Sequence, residues 1–223
     1  MSSSYKHIIW DWNGTLLNDA WLIVEILNLM LEKHELPPIT VEQYRQQFRF
    51  PAEAFYKDLG LNIDDIAQVA ALHKLYNHHY EGRVTECSLH DDTHDVLSLV
   101  NKAGLSQCVL SAAPQGTLES NLDTYKLTDY FTEINGQDNN YGRGKLETAK
   151  TRIERLEHPA HEAVLIGDTH HDYEVAEAIG ADCILVSHGY YERERLEPLG
   201  IPVMDSLKEA IAHILPAHEP QPQ

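Results

Sequence analysis

Cysteine is scarce in this chain, and so is positive charge. The 223 residues hold only Cys87, Cys108 and Cys183, widely spaced, odd in number and without a Cys-x-x-Cys pair. That excludes a disulfide framework and gives no zinc or redox motif; a reduced, cytoplasmic setting is expected. Lysine and arginine total 17 against 35 acidic residues, a formal charge of −18. Such a field repels a nucleic-acid backbone, so no nucleic-acid partner is expected. A small anion is different, because one or two cations and a few backbone N–H groups can hold it locally. Long apolar runs are also missing. The most apolar helical stretch, Ala20 to Leu31, is interrupted by Glu25 and Asn28 and falls short of the roughly 20 residues that cross a bilayer. No membrane association follows, and the polar segment Met1 to Lys6 does not read as a secretory leader. Internal repeats are absent as well. What remains is 43% apolar residues, enough for one core, or for a core with a small appended domain.

Apolar strand-like runs recur at His7–Trp10, Gln107–Leu110, Ala163–Ile166 and Cys183–Val186, with a weaker one near Phe131–Ile134. Helical patterns lie between them. Asp92 or Thr93 can cap a helix that shows Val96, Leu97, Val100 and Ala103 on one face and stops at Gly104. Further helices are predicted over Gly116–Tyr125, Lys145–Leu156, His171–Ile179 with Gly180 as its stop, and Ser206–Leu215. From residue 92 onward this alternation predicts an α/β fold with a parallel sheet and helices on both faces. The stretch from Asn18 to about Glu86 breaks the rhythm and reads as an inserted helical domain without a strand. Thr40-Val41-Glu42-Gln43 is a capping-box start, and Asp64 or Asp65 opens a helix that runs towards Gly82. The polar, proline-containing end from Pro216, residues 217–223 above all, reads as a disordered tail.

Several strands end in a residue suited to phosphate chemistry: Asp11 after the first, Ser111 after the second, Asp168 after the fourth. Ligands of open parallel sheets bind beyond the carboxyl ends of the strands. If the first and the 163–166 strands are neighbours, Asp11 and Asp168 face each other there. Two such carboxylates either raise one another's pKa or share a cation, and Mg²⁺, which takes oxygen ligands and shares its shell with phosphate, is the economical choice. Asp172, one helical turn beyond Asp168, can join that shell; the alternative is that both merely cap the helix.

Asp11-Trp12-Asn13-Gly14-Thr15-Leu16 resembles the first motif of the haloacid dehalogenase-like hydrolases, usually Asp-x-Asp-Gly-Thr-Leu. Ser111 matches the second motif, Lys145 the third, and Gly167-Asp168-Thr169-His170-His171-Asp172 the fourth, in order and across nearly the whole chain. A helical insertion straight after the first motif resembles the phosphoglycolate phosphatase-like branch. The resemblance implies a Rossmann-like core (1–17 and 87–216) with a mobile helical cap (18–86). It also implies a Mg²⁺-dependent phosphatase that acts on a small phosphorylated metabolite through an aspartyl-phosphate. Asp11 would be nucleophile and metal ligand, joined by the carbonyl of residue 13, Asp168 and Asp172. Gly14, Thr15, Ser111 and the N–H of Ala112 would receive phosphate oxygens, and Lys145 would neutralise charge. Dehalogenase members lack the acidic pair of the fourth motif, so Asp168 and Asp172 favour phosphoryl transfer. Monomer and homodimer both stay open.

Two positions depart from the pattern. Asn13 stands where relatives carry the aspartate that protonates the leaving group and activates water, a role worth about 10²–10⁴-fold in rate. The substrate can have a good leaving group, another residue such as His170, His171 or a cap side chain can supply the proton, or the protein is a slow enzyme or a phosphate-binding regulator. A phosphotransferase is a third class of reading. Leu146 also replaces a common proline after Lys145, and Lys150 is the alternative third-motif lysine.

Elsewhere, Arg49 in Gln47-Phe48-Arg49-Phe50-Pro51 is a candidate for a substrate carboxylate or second anion; the alternative is a surface arginine. His78 and His79 face different directions on a helix and read as a solvated end, not a metal clamp. Trp12 and Trp21 are expected at the core–cap junction, and His188-Gly189-Tyr190 as a turn at the top of the sheet.

Overall fold

The computed structural model describes residues 5–137 and 159–215. The predicted helix 145–156, with Lys145, Leu146 and Lys150, and the tail 216–223 lie outside the described residues. Strand β1 (His7–Trp10) is wholly buried, a run without polar alternation, as a strand covered on both faces requires. It pairs in parallel with β4 (Ser106–Pro114) on one side and β6 (Ala163–Gly167) on the other. With β5 (Glu133–Gln137), β7 (Asp182–Val186) and β8 (Val203–Met204) they form a six-stranded sheet in the order β5-β4-β1-β6-β7-β8. Every pairing in it is parallel. The reversal of strand order around β1 is the switch point of a doubly wound sheet, and it puts the carboxyl ends of β1 and β6 side by side.

Helices α5 (Thr93–Lys102), α6 (Gln115–Thr124), α7 (His170–Ile179) and α9 (Leu207–Ile214) pack on the sheet. The short α8 (Arg193–Leu196) follows β7. Within the core, Trp10 Nε1 donates to Gln107 Oε1 at 2.9 Å, and Gln107 Nε2 in turn reaches the Leu97 carbonyl at 2.9 Å. A buried polar side chain is thereby satisfied rather than left costly.

The inserted region contains α1 (Ala20–Lys33), α2 (Val41–Gln47), α3 (Ala52–Asp58) and α4 (Ile66–Arg83). The predicted capping box is present: Gln43 N–H donates to Thr40 Oγ1 at 3.2 Å and Thr40 N–H to Gln43 Oε1 at 2.8 Å. Asp65 Oδ1 accepts from Ala67 N–H at 2.9 Å and opens α4.

Three boundaries differ from the sequence expectation. β4 does not end at Leu110 but runs to Pro114, with a register shift against β5 between those residues, so Ser111 lies inside the strand. β5 begins two residues later than the weak apolar run suggests. The insertion is also flanked by two short strands, β2 (Leu17–Asn18) and β3 (Ser88–Leu89), paired antiparallel as Leu17↔Leu89 and Asn18↔Ser88. Two residues carry no periodicity, so the sequence offers no sign of them.

Candidate active site

The floor of the site is built by the loops after β1 and β6. Trp10 pairs with Ile166, and Asp11 N–H donates to the Ile166 carbonyl at 2.9 Å, which fixes the next residues of the two strands opposite one another. Asp11, Asp168 and Asp172 are all buried, each offering one oxygen within 4.8 Å of the others. Thr15 Oγ1 donates to Asp168 Oδ1 at 2.9 Å and lies 3.3 Å from Asp11 Oδ2; Tyr190 N–H donates to Asp168 Oδ2 at 2.6 Å. Burial first, and then the charges of Asp11 and Asp172, push the Asp168 carboxyl well above the usual carboxylate range. Three carboxylates in a dry site need a counter-charge or a proton. Asp172 Oδ2 also accepts from the N–H groups of Thr169 and Asp168, at 3.0 and 3.2 Å, and from Thr169 Oγ1 at 2.8 Å. It therefore caps α7 and faces the cluster at once.

The donor set fits a hard divalent cation. Three buried carboxylates that each bring an oxygen within 4.8 Å of the others are the hard, anionic oxygen donors that Mg²⁺ takes. The backbone makes room for this cluster. Gly14 holds φ +79°, and a Cβ there would overlap the Asp168 carboxylate; a Cβ at Gly189 would meet the same group.

Beside the floor lies a second polar knot. Asp19 is fully buried and receives Tyr80 Oη at 2.6 Å, Asn13 Nδ2 at 2.8 Å, Tyr190 Oη at 2.9 Å and the Gly14 N–H at 3.1 Å. Burial raises its pKa, and these donors oppose the rise. Asn13 Nδ2 also lies 2.6 Å from Tyr80 Oη, so the Asn13 amide is held between the two. On the other side of the loop, His90 Nε2 meets the Gly14 carbonyl at 3.1 Å and His188 Nε2 the Thr15 carbonyl at 3.0 Å, with the two rings stacked 3.8 Å apart. Burial and the neighbouring His188 lower the His90 pKa to about 3.

Above the floor is a cavity of about 240 Å³ whose lining includes Asp11, Asn13, Ser111, Ala112, Asp168 and Asp172. The opposite wall comes from the insertion and is aromatic. Tyr44, Phe48 and Phe55 pack on one another, and Tyr44 and Phe48 also on Tyr190, with ring centroids 4.8 to 6.0 Å apart. Tyr56, Tyr76 and Tyr80 extend that wall.

A family model described as haloacid dehalogenase-like hydrolase matches residues 8–186. The chain belongs to this family. The hydrolase is 25% identical to a phosphoglycolate phosphatase of Pseudomonas fluorescens, over 95% of this chain and 81% of that protein. It is 23% identical to the pyrophosphatase PpaX of Bacillus cereus, over 85% and 87% of the two chains. Among solved structures, a predicted phosphatase from Clostridium acetobutylicum superposes with a TM-score of 0.79 at 21% identity, covering 94% of this chain and 98% of that one. The last likeness is one of fold.

Of the predicted site residues, the hydrolase gathers Asp11, Asn13, Gly14, Thr15, Ser111, Ala112, Asp168 and Asp172 around one cavity floor. Lys145 lies outside the described residues. Arg49 is placed elsewhere: its Nε and Nη2 pair with Asp58 at 2.7 and 3.0 Å, and its side chain is half exposed, so it is a surface arginine held by a carboxylate one helix away. His171 lines the cavity while His170 is exposed. Trp12 is fully buried and Trp21 packs beneath the Arg83 guanidinium. Asp19, Tyr80, Tyr190 and the His90–His188 pair were not singled out as site residues. The turn at 188–190 is the one signal that pointed near them.

Proposed function

We propose that this hydrolase is a Mg²⁺-dependent phosphatase that acts on a small phosphorylated metabolite through an aspartyl-phosphate on Asp11. The observation that carries the reading is the buried Asp11–Asp168–Asp172 cluster at the floor of the cavity. Asp11 attacks phosphorus, the ester P–O bond breaks, and the alcohol oxygen leaves with the electron pair and takes a proton from solvent water, because the Asn13 amide cannot give one. Water then attacks phosphorus, the P–O bond to Asp11 breaks, and inorganic phosphate and the free Asp11 carboxylate are released while the attacking water gives its proton back to solvent. Gly14, Thr15, Ser111 and the Ala112 N–H receive phosphate oxygens, and Lys145 neutralises the transferring group. Asp11, the backbone carbonyl of Asn13 and Asp168, with Asp172 in support, would hold a Mg²⁺ ion, which would supply the positive charge that the carboxylates and phosphate both need. In this reading residues 1–17 and 87–216 are the catalytic core, residues 18–86 are a cap over it, and the enzyme works in the cytoplasm.

Relatives named for phosphoglycolate and for pyrophosphate make those two compounds the first to try. With an amide at residue 13, activated esters are turned over faster than plain ones. The test is Mg²⁺-dependent phosphate release from acetyl phosphate, p-nitrophenyl phosphate, phosphoglycolate and pyrophosphate by the parent protein and by Asp11→Asn. Release from the activated substrates that disappears in the variant supports the reading; equal release by both proteins removes it.

One observation favours a second reading, a phosphate-binding regulator with little turnover. The Asn13 amide is held by Asp19 and Tyr80 and, being a carboxamide, cannot act as a general acid or base near neutral pH. Tight Mg²⁺-dependent phosphate binding without release from acetyl phosphate selects it. Release stimulated by added alcohols selects a phosphotransferase instead.

A further inference from the structure

From the walls of the cavity we infer that the phosphorylated compound it takes is a monoester whose alcohol part is uncharged and aromatic or apolar, not a second anion. The inference rests on the phosphatase reading for the phosphoryl end and on the cap wall for the rest.

Among the described residues that line the cavity there is neither lysine nor arginine. Arg45, Arg49, Arg83 and Arg195 lie outside the lining. Arg45 donates from Nη2 to the Ser187 carbonyl while its buried Nε has no partner among the described residues, Arg49 pairs with Asp58, Arg83 with Glu25 and Glu86, and Arg195 donates to the carbonyls of Arg45 and Phe48 at 2.8 and 2.7 Å. The two imidazoles that reach the cavity already face carboxylates: His73 Nε2 lies 3.6 Å from Glu53, and His171 Nδ1 lies 3.2 Å from Glu174. Glu81 adds another acid to the lining. Against the cap wall, a substrate carboxylate or second phosphoryl group would lose its water without meeting a cation among the described residues, which is the costly way to bury a charge.

Apolar matter has a better reception. Phe48, Phe55, Tyr56, Ile23 and Leu27 are all nearly or fully buried and all face the cavity. Phe50, at the mouth, lies 5.2 Å from the His171 ring. A dry apolar cavity of roughly 150 Å³ holds benzene, so about 240 Å³ has room for a ring together with the phosphoryl group. The cavity thus has two ends of different character, a carboxylate floor and a largely apolar cap wall.

Two measurements with Mg²⁺ present test this. The first compares kcat/KM of the parent protein for phenyl phosphate and for 4-carboxyphenyl phosphate, which differ by one carboxylate far from phosphorus. At least a tenfold preference for phenyl phosphate is expected. The second follows calorimetric binding of n-alkyl phosphates to Asp11→Asn, which leaves the cap wall intact. Affinity is expected to rise about fourfold per added methylene until the cavity is full. Phosphate release without preference, or with preference for the carboxylate, for phosphoglycolate or for pyrophosphate, overturns the inference and leaves the phosphatase reading standing. A climbing alkyl series without any turnover sustains the inference and removes the phosphatase reading. A flat alkyl series overturns the inference whatever the turnover.

Discussion

The floor of the cavity and its cap-side wall are both buried, yet they are held together by different physics. The floor is carboxylates and hydroxyls tied by short hydrogen bonds: Thr15 and Tyr190 on Asp168, Thr169 on Asp172. Such groups tolerate little displacement, because a buried polar atom that loses its partner costs about 1–3 kcal/mol. The wall is rings in edge and stacked contacts, Tyr44, Phe48 and Phe55, where shape matters and direction matters less. Rigid polar geometry suits a step that is the same for every substrate; a ring-lined surface suits the choice among substrates. Changes to the floor should therefore act on all substrates alike, and changes to the wall on their ratios.

The sharpest test of that division is Asp11→Asn. It should reduce Mg²⁺-dependent phosphate release on the order of 10⁴-fold or more on every substrate, and a variant that lost activity on one substrate class alone would place Asp11 on the wrong side of the comparison. Next comes the pair at residue 13. Asn13→Asp by itself sets a carboxylate where the amide now donates to Asp19 at 2.8 Å, and the like charges should destabilise the fold. The exchange Asn13→Asp with Asp19→Asn restores an amide–carboxylate contact. The double variant should recover stability by about 1–3 kcal/mol relative to additivity in urea unfolding. It should also raise turnover of unactivated esters by roughly 10²-fold or more. Simple additivity of the two single changes would disconnect Asp19 from Asn13.

On the wall, Phe50 is 43% exposed, so Phe50→Ala should fold normally. It should lower the kcat/KM ratio of phenyl to methyl phosphate severalfold while leaving acetyl phosphate within about twofold; an equal fall on all three would make Phe50 part of the floor. The smallest effect concerns pH. The His90 pKa is about 3 in the folded protein against about 6.5 in an unfolded chain. The unfolded chain therefore takes up the proton first, and stability from neutral His90 is present above about pH 6.5 and lost as pH falls towards 3. Urea midpoints should show the gap between the parent protein and His90→Gln narrowing over that window. A gap that widens would reverse the sign.

The elements that set up the floor were legible because they repeat a pattern. Buried runs such as Ala163–Ile166 carry no polar alternation, and the residue after each is where a parallel sheet opens to ligand. The polar knot was not legible for a reason that no local rule mends. Tyr80 and Tyr190 reach Asp19 from 61 and 171 positions away, and only the packed insertion brings them together. Arg49 illustrates a different limit. The sequence leaves it between a substrate contact and a surface position; the carboxylate that claims it, Asp58, sits nine residues on, and a single sequence gives a nearby acid no priority over a distant ligand.

The two-residue pairing of Leu17 with Leu89 and Asn18 with Ser88 also bears on chain entropy. The inserted helices leave the core and return to it at adjacent points, so the cost of closing that excursion is settled at the neck. Because closure entropy grows only with the logarithm of length, doubling the excursion adds about 0.6 kcal/mol. The neck is itself joined to the Asp11 loop, with Gly14 N–H on the Leu17 carbonyl at 2.9 Å and His90 N–H on the Leu16 carbonyl at 3.0 Å. A different excursion of similar footprint, longer or shorter, can be carried by the same four residues with the Asp11 loop left in place.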